Sequence, residues 1–216
     1  MPSMVKRKAD SVAGNFPVQG LAIRLVSKPE AILKLLTTAM NSPPLLAAMG
    51  TCDSSGKSRV RMVVIRKVDK AGPAVYACTD IQSKKIKDIQ RLALGELCFW
   101  LPKYRVQIRL LVRWTVLNMS ATEYGNKKNR HLLEELWAGL SAASRRLFDS
   151  GRPELIDQTQ SGRKLELNAS GTPPMKFAVL AGQILEIDAL AIVEPEHIRF
   201  SHRKTGKNWK TARTPL

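Results

Sequence analysis

The chain has 216 residues, of which 44% are hydrophobic and 25% are charged, as in ordinary globular proteins. These proportions exclude wholesale disorder, a collagen-like chain and a disulfide scaffold. The charge is unusual, because 35 lysines and arginines against 18 acidic residues leave a net charge of +17. So large an excess predicts a polyanionic partner, whether nucleic acid, a membrane surface or a phosphorylated ligand.

The cysteines and the start of the chain bear on the compartment. Cys52, Cys78 and Cys98 stand in apolar stretches typical of strands and form no CxxC pair, so we expect reduced, buried thiols. A reducing compartment follows, and we predict a cytoplasmic protein. The mitochondrial matrix is the alternative, because all charged residues among the first 28 are basic except Asp10. The apolar runs are too short for a membrane span.

The first half of the chain predicts a basic arm followed by a helix and three strands. Residues 1–26 form the arm, and residues 27–216 form one domain. A capping box at Ser27–Glu30 predicts a helix that ends at Pro43-Pro44. Alternating apolar residues between turns then predict strands over Leu45–Cys52, Arg59–Val68 and Ala74–Thr79.

The second half adds a helix, two strands, a helical region and closing strands. The helices are expected over Ile81–Leu94, capped by Asp80, and over Ala121–Phe148, opened by a capping box at Ser120–Glu123. The strands are expected over Glu96–Leu101, Val106–Met119, Phe177–Leu180, Leu190–Glu194, Ile198–Arg203 and Trp209–Thr214, with a loop over Gly162–Pro174. This order is not a βαβ alternation. It predicts an α+β fold, a small antiparallel barrel with helices packed outside.

Side chains alone predict no catalytic centre. The chain has three histidines and no carboxylate cluster at metal-ligand spacing, so we expect no metal. Ser55–Ser58 resembles the end of a phosphate-binding loop but leads into a strand, which indicates a hairpin turn. No nucleophile and base can be paired, and the catalytic residues stay unassigned. Any chemistry would come from a cofactor.

The basic residues suggest a phosphate site. Arg59, Arg61 and Arg66 lie on one predicted strand, and Lys84 and Lys85 lie at the start of the next helix. Any one such cluster is commonly a solvated face. Together, strand arginines and lysines in a first helical turn are suited to clamp a phosphate, where cations and unpaired backbone amides converge.

Three segments carry a resemblance to a known family. They are Arg61–Arg66 (RMVVIR), Thr79–Lys85 (TDIQSKK) and Arg105–Leu110 (RVQIRL). In this order they resemble the pyridoxamine 5'-phosphate oxidase-like FMN-binding split-barrel family, in its branch with an R-x-Q-x-R strand. The likeness covers about residues 43–216. Further matches are Trp137, Leu140, Ser141, Arg145, Phe148, Phe177, Leu180, Asp188, Leu190, Pro195, Arg199, Trp209 and Pro215.

The resemblance implies an antiparallel split barrel that forms a homodimer, with FMN in a groove between the subunits. It places the FMN phosphate on Arg61 and Lys85, with the backbone of Met62–Val64 along the isoalloxazine ring. It also gives Gln107 a hydrogen bond to the flavin or ribityl group from the partner subunit. The implied cofactor-binding set is Arg61, Met62, Val63, Val64, Thr79, Ser83, Lys84, Lys85 and Gln107.

The chain departs from the vitamin B6 oxidases of this family at their substrate positions. Arg66 stands where those oxidases have a lysine that contacts substrate. Their R-x-H-x-R motif is missing, because in Arg199–Arg203 the histidine comes one position late and would face the opposite side of a strand. The resemblance therefore implies an FMN-dependent oxidoreductase of unknown substrate.

A second hypothesis rests on the charge that lies outside this site. The segment from Arg199 to Leu216 holds six lysines and arginines and no acid, and Lys6–Lys8 adds to the excess. Because a fold does not define a function, the chain is alternatively a non-catalytic split barrel. In that role it would be a basic RNA-binding subunit of a ribonucleoprotein such as a mitochondrial ribosome.

Overall fold

The computed structural model describes residues 19–41, 44–122, 126–149, 171–194 and 196–215. The strands are β1 (Leu46–Cys52), β2 (Ser58–Asp69), β3 (Ala74–Asp80), β4 (Leu94–Leu101), β5 (Val106–Asn118), β6 (Phe177–Ala191), β7 (Ile198–Thr205) and β8 (Asn208–Thr214). The helices are α1 (Gln19–Val26), α2 (Pro29–Ala39), α3 (Lys84–Arg91), α4 (Met119–Thr122), α5 (Lys127–Ala138) and α6 (Ala142–Asp149). Residues 1–18 of the predicted arm, Pro195 and most of the predicted loop lie outside the described residues.

The strands form one antiparallel sheet in the order β3-β2-β1-β4-β5-β6-β7-β8. Because β3 also pairs with β6, the first six strands in this order close into a barrel, and β7 and β8 extend it from β6. Alternation builds this barrel: in β5, Val106, Ile108 and Leu110 point inward and are fully buried. The predicted α+β antiparallel split barrel with helices outside is confirmed.

Strand β6 differs most from the prediction. Phe177–Leu180 and Leu190–Glu194 were expected as two short strands, but the structure has one strand of 15 residues. Its first half pairs with β3 and its second half with β7, while β5 runs along both halves. A register shift at Leu111/Val112 changes which residues face inward. That bulge interrupts the period of two, so the sequence pattern breaks where the strand continues.

The helices after β3 and β5 also differ from their predicted bounds. Thr79 and Asp80 stay in β3, and the Asp80 carboxylate accepts a hydrogen bond from the Gln82 amide at 2.6 Å, so α3 begins only at Lys84. The region expected as one helix from Ala121 is divided into α4, α5 and α6. Asn126 caps α5 by accepting from the Asn129 amide, while Glu123 of the predicted capping box lies outside the described residues.

The arm predicted over residues 1–26 contains an unexpected helix. In α1, Ala22 and Val26 are fully buried in the core shared with the barrel. The buried His202 of β7 donates from Nε2 to the Val26 carbonyl at 2.9 Å and accepts at Nδ1 from the Thr211 hydroxyl at 2.8 Å. Ser27 does not cap α2, whose N-cap is Lys28 without a side-chain bond. The described part of the arm therefore packs as part of the barrel.

Trp114 is buried in the core of the barrel because two glycines make room for it. A Cβ placed on Gly182 would lie 2.7 Å from the Trp114 ring, and one on Gly95 would lie 2.7 Å from its Nε1. Such separations are well inside van der Waals contact. Neither glycine adopts a positive φ, so backbone conformation does not require glycine at these positions. The close packing of Trp114 does.

We expect Gly182→Ala to lower the free energy of unfolding by about 1–3 kcal/mol, because the added methyl group must displace Trp114 in a packed core. Chemical denaturation at equilibrium measures this loss. Gly20→Ala is the matched control, since a Cβ there meets nothing within 4 Å. Equal stabilities for Gly182→Ala and the parent protein would contradict the packing account.

We also expect stability to depend on pH through His202. Burial lowers the pKa of His202, although its bond to the Val26 carbonyl opposes the shift. The unfolded chain takes up a proton as the pH falls through about 6.5, whereas the folded chain stays neutral to lower pH, so stability decreases with acidification. Urea denaturation at pH 7.5 and 5.5 should show a smaller decrease for His202→Gln than for the exposed control His131→Gln. Equal decreases would show that His202 does not contribute.

Candidate functional site

Arg61 is held by a buried network that joins three elements. Its Nη1 donates to the Thr51 hydroxyl of β1 at 2.6 Å, and its Nη2 lies 3.3 Å from Oδ2 of Asp88 on α3. The Thr51 hydroxyl donates to the same Asp88 oxygen at 2.8 Å. Thr51 and Asp88 are buried, while Arg61 is partly exposed. The network therefore orients the guanidinium and ties α3 to β1 and β2.

Lys85, in the first turn of α3, forms the second half of the site. Its Nζ donates to the Thr79 hydroxyl at 2.8 Å and to the Ser83 hydroxyl at 3.0 Å. Burial lowers the pKa of Lys85, the nearby charge of Arg61 lowers it further, and Asp80 opposes both effects. Two cations thus lie close together in a partly buried place. An anion bound between them would relieve their repulsion.

The chemistry of this cluster fits a phosphate group. Arg61 and Lys85 supply charge-assisted donors, and the two hydroxyls can donate or accept. Ser83 is the N-cap of α3 and makes no side-chain capping bond, so the first amides of the helix end beside the cations. Lys84, predicted as part of the site, is exposed and takes part in none of the described hydrogen bonds of the cluster.

Three of the remaining predicted residues, Met62, Val64 and Gln107, lie on the outer face of the sheet. Val64 of β2 pairs with Leu46 of β1, and Gln107 of β5 pairs with Trp100 of β4. Met62 lies on the same face as Val64, since residues two apart in a strand share a face. The alternate residue Val63 is partly buried and packs against the core. The structure therefore divides the predicted set into a cationic cluster, an outer face and the core-facing Val63.

This outer face is unusually apolar for a surface. The exposed fractions are 71% for Val60, 61% for Met62, 51% for Trp100 and 48% for Leu46. Pairing in β1 places Gly50 opposite Val60, so no side chain covers that valine from the neighbouring strand. Contiguous exposed apolar surface of this kind marks an interaction site.

Sequence reasoning missed Thr51 and Asp88. Both carried a usable signal. Thr51 follows the buried Met49 by two positions and so points inward, and Asp88 follows Lys85 by three positions on one helix face. A polar residue at an inward strand position and a carboxylate beside the expected clamp together indicate a buried polar network.

The arginines farther along the outer face are neutralised within the chain. Asp188 of β6 pairs with Arg199 of β7 at 2.7 Å and with Arg109 of β5 at 3.3 Å, and Arg109 also lies 3.6 Å from Glu96. His202 is buried on the opposite side of β7, which confirms that it cannot replace the histidine of the R-x-H-x-R motif. These arginines are therefore committed to ion pairs.

The cysteines are free, and each is half-buried rather than fully buried as expected. Burial raises the pKa of Cys78 to about 12 and also raises that of Cys98, so both thiols stay protonated. Within the described ranges, no group of three or more potential metal ligands comes together. No helix in the described part of the chain is long and apolar enough to cross a membrane.

Comparison with known proteins agrees with the fold and the motifs. Residues 30–118 match the family model described as pyridoxamine 5'-phosphate oxidase, FMN-binding domain. The chain is 23% identical over 163 residues to pyridoxine/pyridoxamine 5'-phosphate oxidase 2 of Arabidopsis thaliana, covering 75% of this chain and 81% of the relative. It is 31% identical over 98 residues to pyridoxine/pyridoxamine 5'-phosphate oxidase of Anaeromyxobacter dehalogenans, covering 45% and 48%.

Solved structures share the fold at low identity. A pyridoxamine 5'-phosphate oxidase-related, FMN-binding protein from Nostoc punctiforme has a TM-score of 0.71 at 18% identity, covering 86% of this chain and 95% of that one. PhzG from Burkholderia lata, in complex with tetrahydrophenazine-1-carboxylic acid, has a TM-score of 0.69 at 19% identity, covering 93% and 98%. The chain thus has the split-barrel fold of these proteins, and over residues 30–118 it is similar to the pyridoxamine 5'-phosphate oxidase-like, FMN-binding family. The predicted resemblance and the predicted cofactor, FMN, are confirmed.

Proposed function

We propose that the protein is an FMN-dependent oxidoreductase whose cationic cluster holds the FMN phosphate. The observation that supports this function is that two cations from different elements act on each other: Arg61, held by Thr51 and Asp88, and Lys85, bonded to the hydroxyls of Thr79 and Ser83. FMN supplies the redox chemistry when bound, since the described side chains pair no nucleophile with a base.

In this proposal, residues of the chain bind the FMN phosphate, hold Arg61 in its orientation and line the flavin ring. Arg61 and Lys85 neutralise the phosphate, while Asp88 and Thr51 keep Arg61 in place before binding. The backbone of Met62–Val64 lines the flavin ring, because β2 carries these residues directly beyond Arg61. A site that is oriented in advance loses less conformational freedom on binding.

We further propose that the outer face is covered by a second copy of the chain. The face carries Val60, Met62 and other exposed apolar side chains, and its burial would be favourable at about 25 cal/mol per Å². In this homodimer, Gln107 of one subunit bonds the flavin or ribityl group held by the other. The two cofactor sites would then depend on assembly.

The residues of this chain do not support the substrate of the vitamin B6 oxidases. The two sequence relatives bear names of pyridoxine/pyridoxamine 5'-phosphate oxidases. In this chain Arg66 replaces the expected lysine, His202 is buried beneath α1, and Arg199 is paired with Asp188. We therefore propose an oxidoreductase of a different substrate on the same cofactor.

The ribonucleoprotein alternative stays a prediction, and the comparisons offer no support for it. The basic segment from Arg199 onward forms the β7–β8 hairpin, where Nζ of Lys204 lies 5.2 Å from the centre of the Trp209 ring. Lys207 and Lys210 have no carboxylate partner among the described residues. The compartment likewise stays a prediction, cytoplasmic or mitochondrial.

We expect Lys85→Met to weaken FMN binding by about 10- to 150-fold, which corresponds to the 1.5–3 kcal/mol of a charge-assisted hydrogen bond. Arg61→Ala alone would leave the buried Asp88 carboxylate without its cation, so the double variant Arg61→Ala/Asp88→Asn is the cleaner test of Arg61. Its FMN affinity should fall by a similar factor. Titration of the FMN-free protein, followed by flavin fluorescence, measures both effects.

The exposed Lys87 lies on the same helix, and Lys87→Met is the matched control. Riboflavin, which lacks the phosphate, should bind the parent and Lys85→Met equally. Unchanged FMN affinity in Lys85→Met and in the double variant would contradict the phosphate assignment. An equal loss of riboflavin affinity would also contradict the phosphate assignment, because the loss would then not depend on the phosphate.

We expect Val60→Glu to convert the dimer to a monomer, since it places a charge within the proposed interface. Leu147→Glu on α6 is the control, because Leu147 is 70% exposed and Val60 is 71% exposed. Sedimentation velocity distinguishes the two forms. A parent protein that sediments as a monomer while holding FMN would rule out the proposed assembly.

A further inference from the structure

We propose that the free edge of β8 binds an extended, acidic segment of another protein, which adds to the sheet as a further strand. The inference goes beyond the proposed FMN-dependent function and does not depend on it. In the order of the sheet β8 is the last strand, and its one partner among the described strands is β7. An unpaired strand edge presents a row of backbone amides and carbonyls to which a second chain can bond.

Strand β8 is long and regular enough to serve as a template for another strand. It has seven residues, and each of them pairs with a residue of β7, from Asn208 opposite Thr205 to Thr214 opposite Arg199. This pairing shows no register shift, and the strand contains no proline, so neither of these features interrupts the edge. Five of the seven residues are exposed, which leaves the strand accessible.

The hairpin that carries this edge is anchored to the core of the barrel. Trp209 packs against the core, and the Thr211 hydroxyl donates to Nδ1 of the buried His202 at 2.8 Å. Gly206, in the turn between the two strands, has φ of +59°, a conformation that glycine adopts without strain. An edge that is already formed loses little conformational freedom when a partner binds.

The arginines of β7 do not supply free charge to this edge. Arg199 lies 2.7 Å from Asp188, and Arg203 lies 2.8 Å from Glu186. Both carboxylates belong to β6, on the side of β7 away from β8. The charge of β7 is therefore neutralised toward the barrel.

The positive charge of β8 and of the turn before it is largely uncompensated. Lys207 and Lys210 have no carboxylate partner within the described ranges. Arg213 lies 3.7 Å from Glu196, and both of these side chains are mostly exposed. An exposed ion pair at this distance contributes little. The edge thus offers positive charge to the chain that pairs with it.

This charge selects the kind of partner. A second copy of β8 would bring Lys210 and Arg213 close to the same residues of the other chain, and like charges across a strand pair are destabilising. A peptide with carboxylates at alternate positions would face these cations and bond to the strand at the same time. Phosphates of RNA would meet the charge but donate nothing to the strand carbonyls, and Trp209 is packed against the core instead of open to stack on a base.

The edge is separate from the apolar outer face of the proposed dimer. The exposed residues Leu46, Val60, Met62 and Trp100 belong to β1, β2 and β4. In the sheet, β8 is four strands beyond β4, which corresponds to about 19 Å at about 4.8 Å between neighbouring strands. Binding at the β8 edge therefore does not use these apolar residues.

The test titrates the full chain with fluorescein-labelled, nine-residue peptides and follows their fluorescence anisotropy. In the first peptide glutamate alternates with threonine, and in the second lysine replaces each glutamate. The third is the glutamate peptide with N-methyl groups on two consecutive central amides, which keeps the charge and removes a hydrogen bond in either register. We expect the glutamate peptide to bind at least 10-fold more tightly than the N-methylated one, and the lysine peptide not to bind.

The double variant Lys207→Gln/Lys210→Gln should weaken the glutamate peptide by 5-fold or more and leave the FMN content of the protein unchanged. Lys127→Gln/Lys128→Gln on α5 is the matched control, because these two lysines are also exposed and the change of charge is the same. Binding of the glutamate peptide should also slow hydrogen exchange of the amides of Asn208–Thr214, which locates the contact at the edge.

Four results would overturn the proposal. The first is that the glutamate peptide does not bind, and the second is that its N-methylated form binds equally well, because charge would then suffice. The third is that a 12-nucleotide oligouridylate binds more tightly than the glutamate peptide and is weakened by the same double variant, which would identify RNA as the ligand. The fourth is that exchange in β8 slows with rising protein concentration in the absence of peptide, since a second copy would then cover the edge.

Discussion

Closure of the barrel through β6 is the constraint on which the rest of the structure depends. The first half of β6 is bonded to β3 on one edge and to β5 on the other, so β3 cannot move independently of the far side of the sheet. The closed ring surrounds Trp114, which fits only because Gly95 and Gly182 lack side chains. The end of β3 and the start of α3 are fixed by this closure, and they carry Thr79, Ser83 and Lys85. A rigid scaffold under a polar site is what pre-organised binding requires.

On that scaffold, the carboxylate of Asp88 connects stability to function. It accepts from Thr51 and pairs with Arg61, and α3 is thereby tied to β1 and β2. A buried carboxylate is costly unless it is paired, so Arg61 satisfies Asp88 in the free protein and remains oriented toward a ligand. Lys85 has only hydroxyl partners, and the pKa of this lysine is lowered by burial and by Arg61. Binding of a dianion would relieve that cost, which explains why a phosphate suits this place.

Much of the fold could be predicted from sequence because strand alternation and turn residues are local signals. The three strands from Leu46 to Asp80, and β5, lie close to their predicted bounds. Prediction failed where tertiary contacts override local pattern: the bulged β6 was divided in two, and α1 was assigned to an arm although it packs into the core and bonds to the distant His202. The cationic residues of the site were predictable from motif order. Thr51 and Asp88 each carried a local signal of burial, but their pairing did not, because it joins β1 to a helix residue 37 positions away along the chain.

The visible absorption spectrum of the purified protein tests the central claim most directly. If the cluster around Arg61 and Lys85 holds the phosphate of FMN, the protein should show flavin absorption bands. Denaturation should then release FMN in a one-to-one ratio to the chain, identified by chromatography against riboflavin and FAD. FMN-free protein should regain the bands when FMN is added. A colourless protein that takes up no FMN under these conditions would contradict the account.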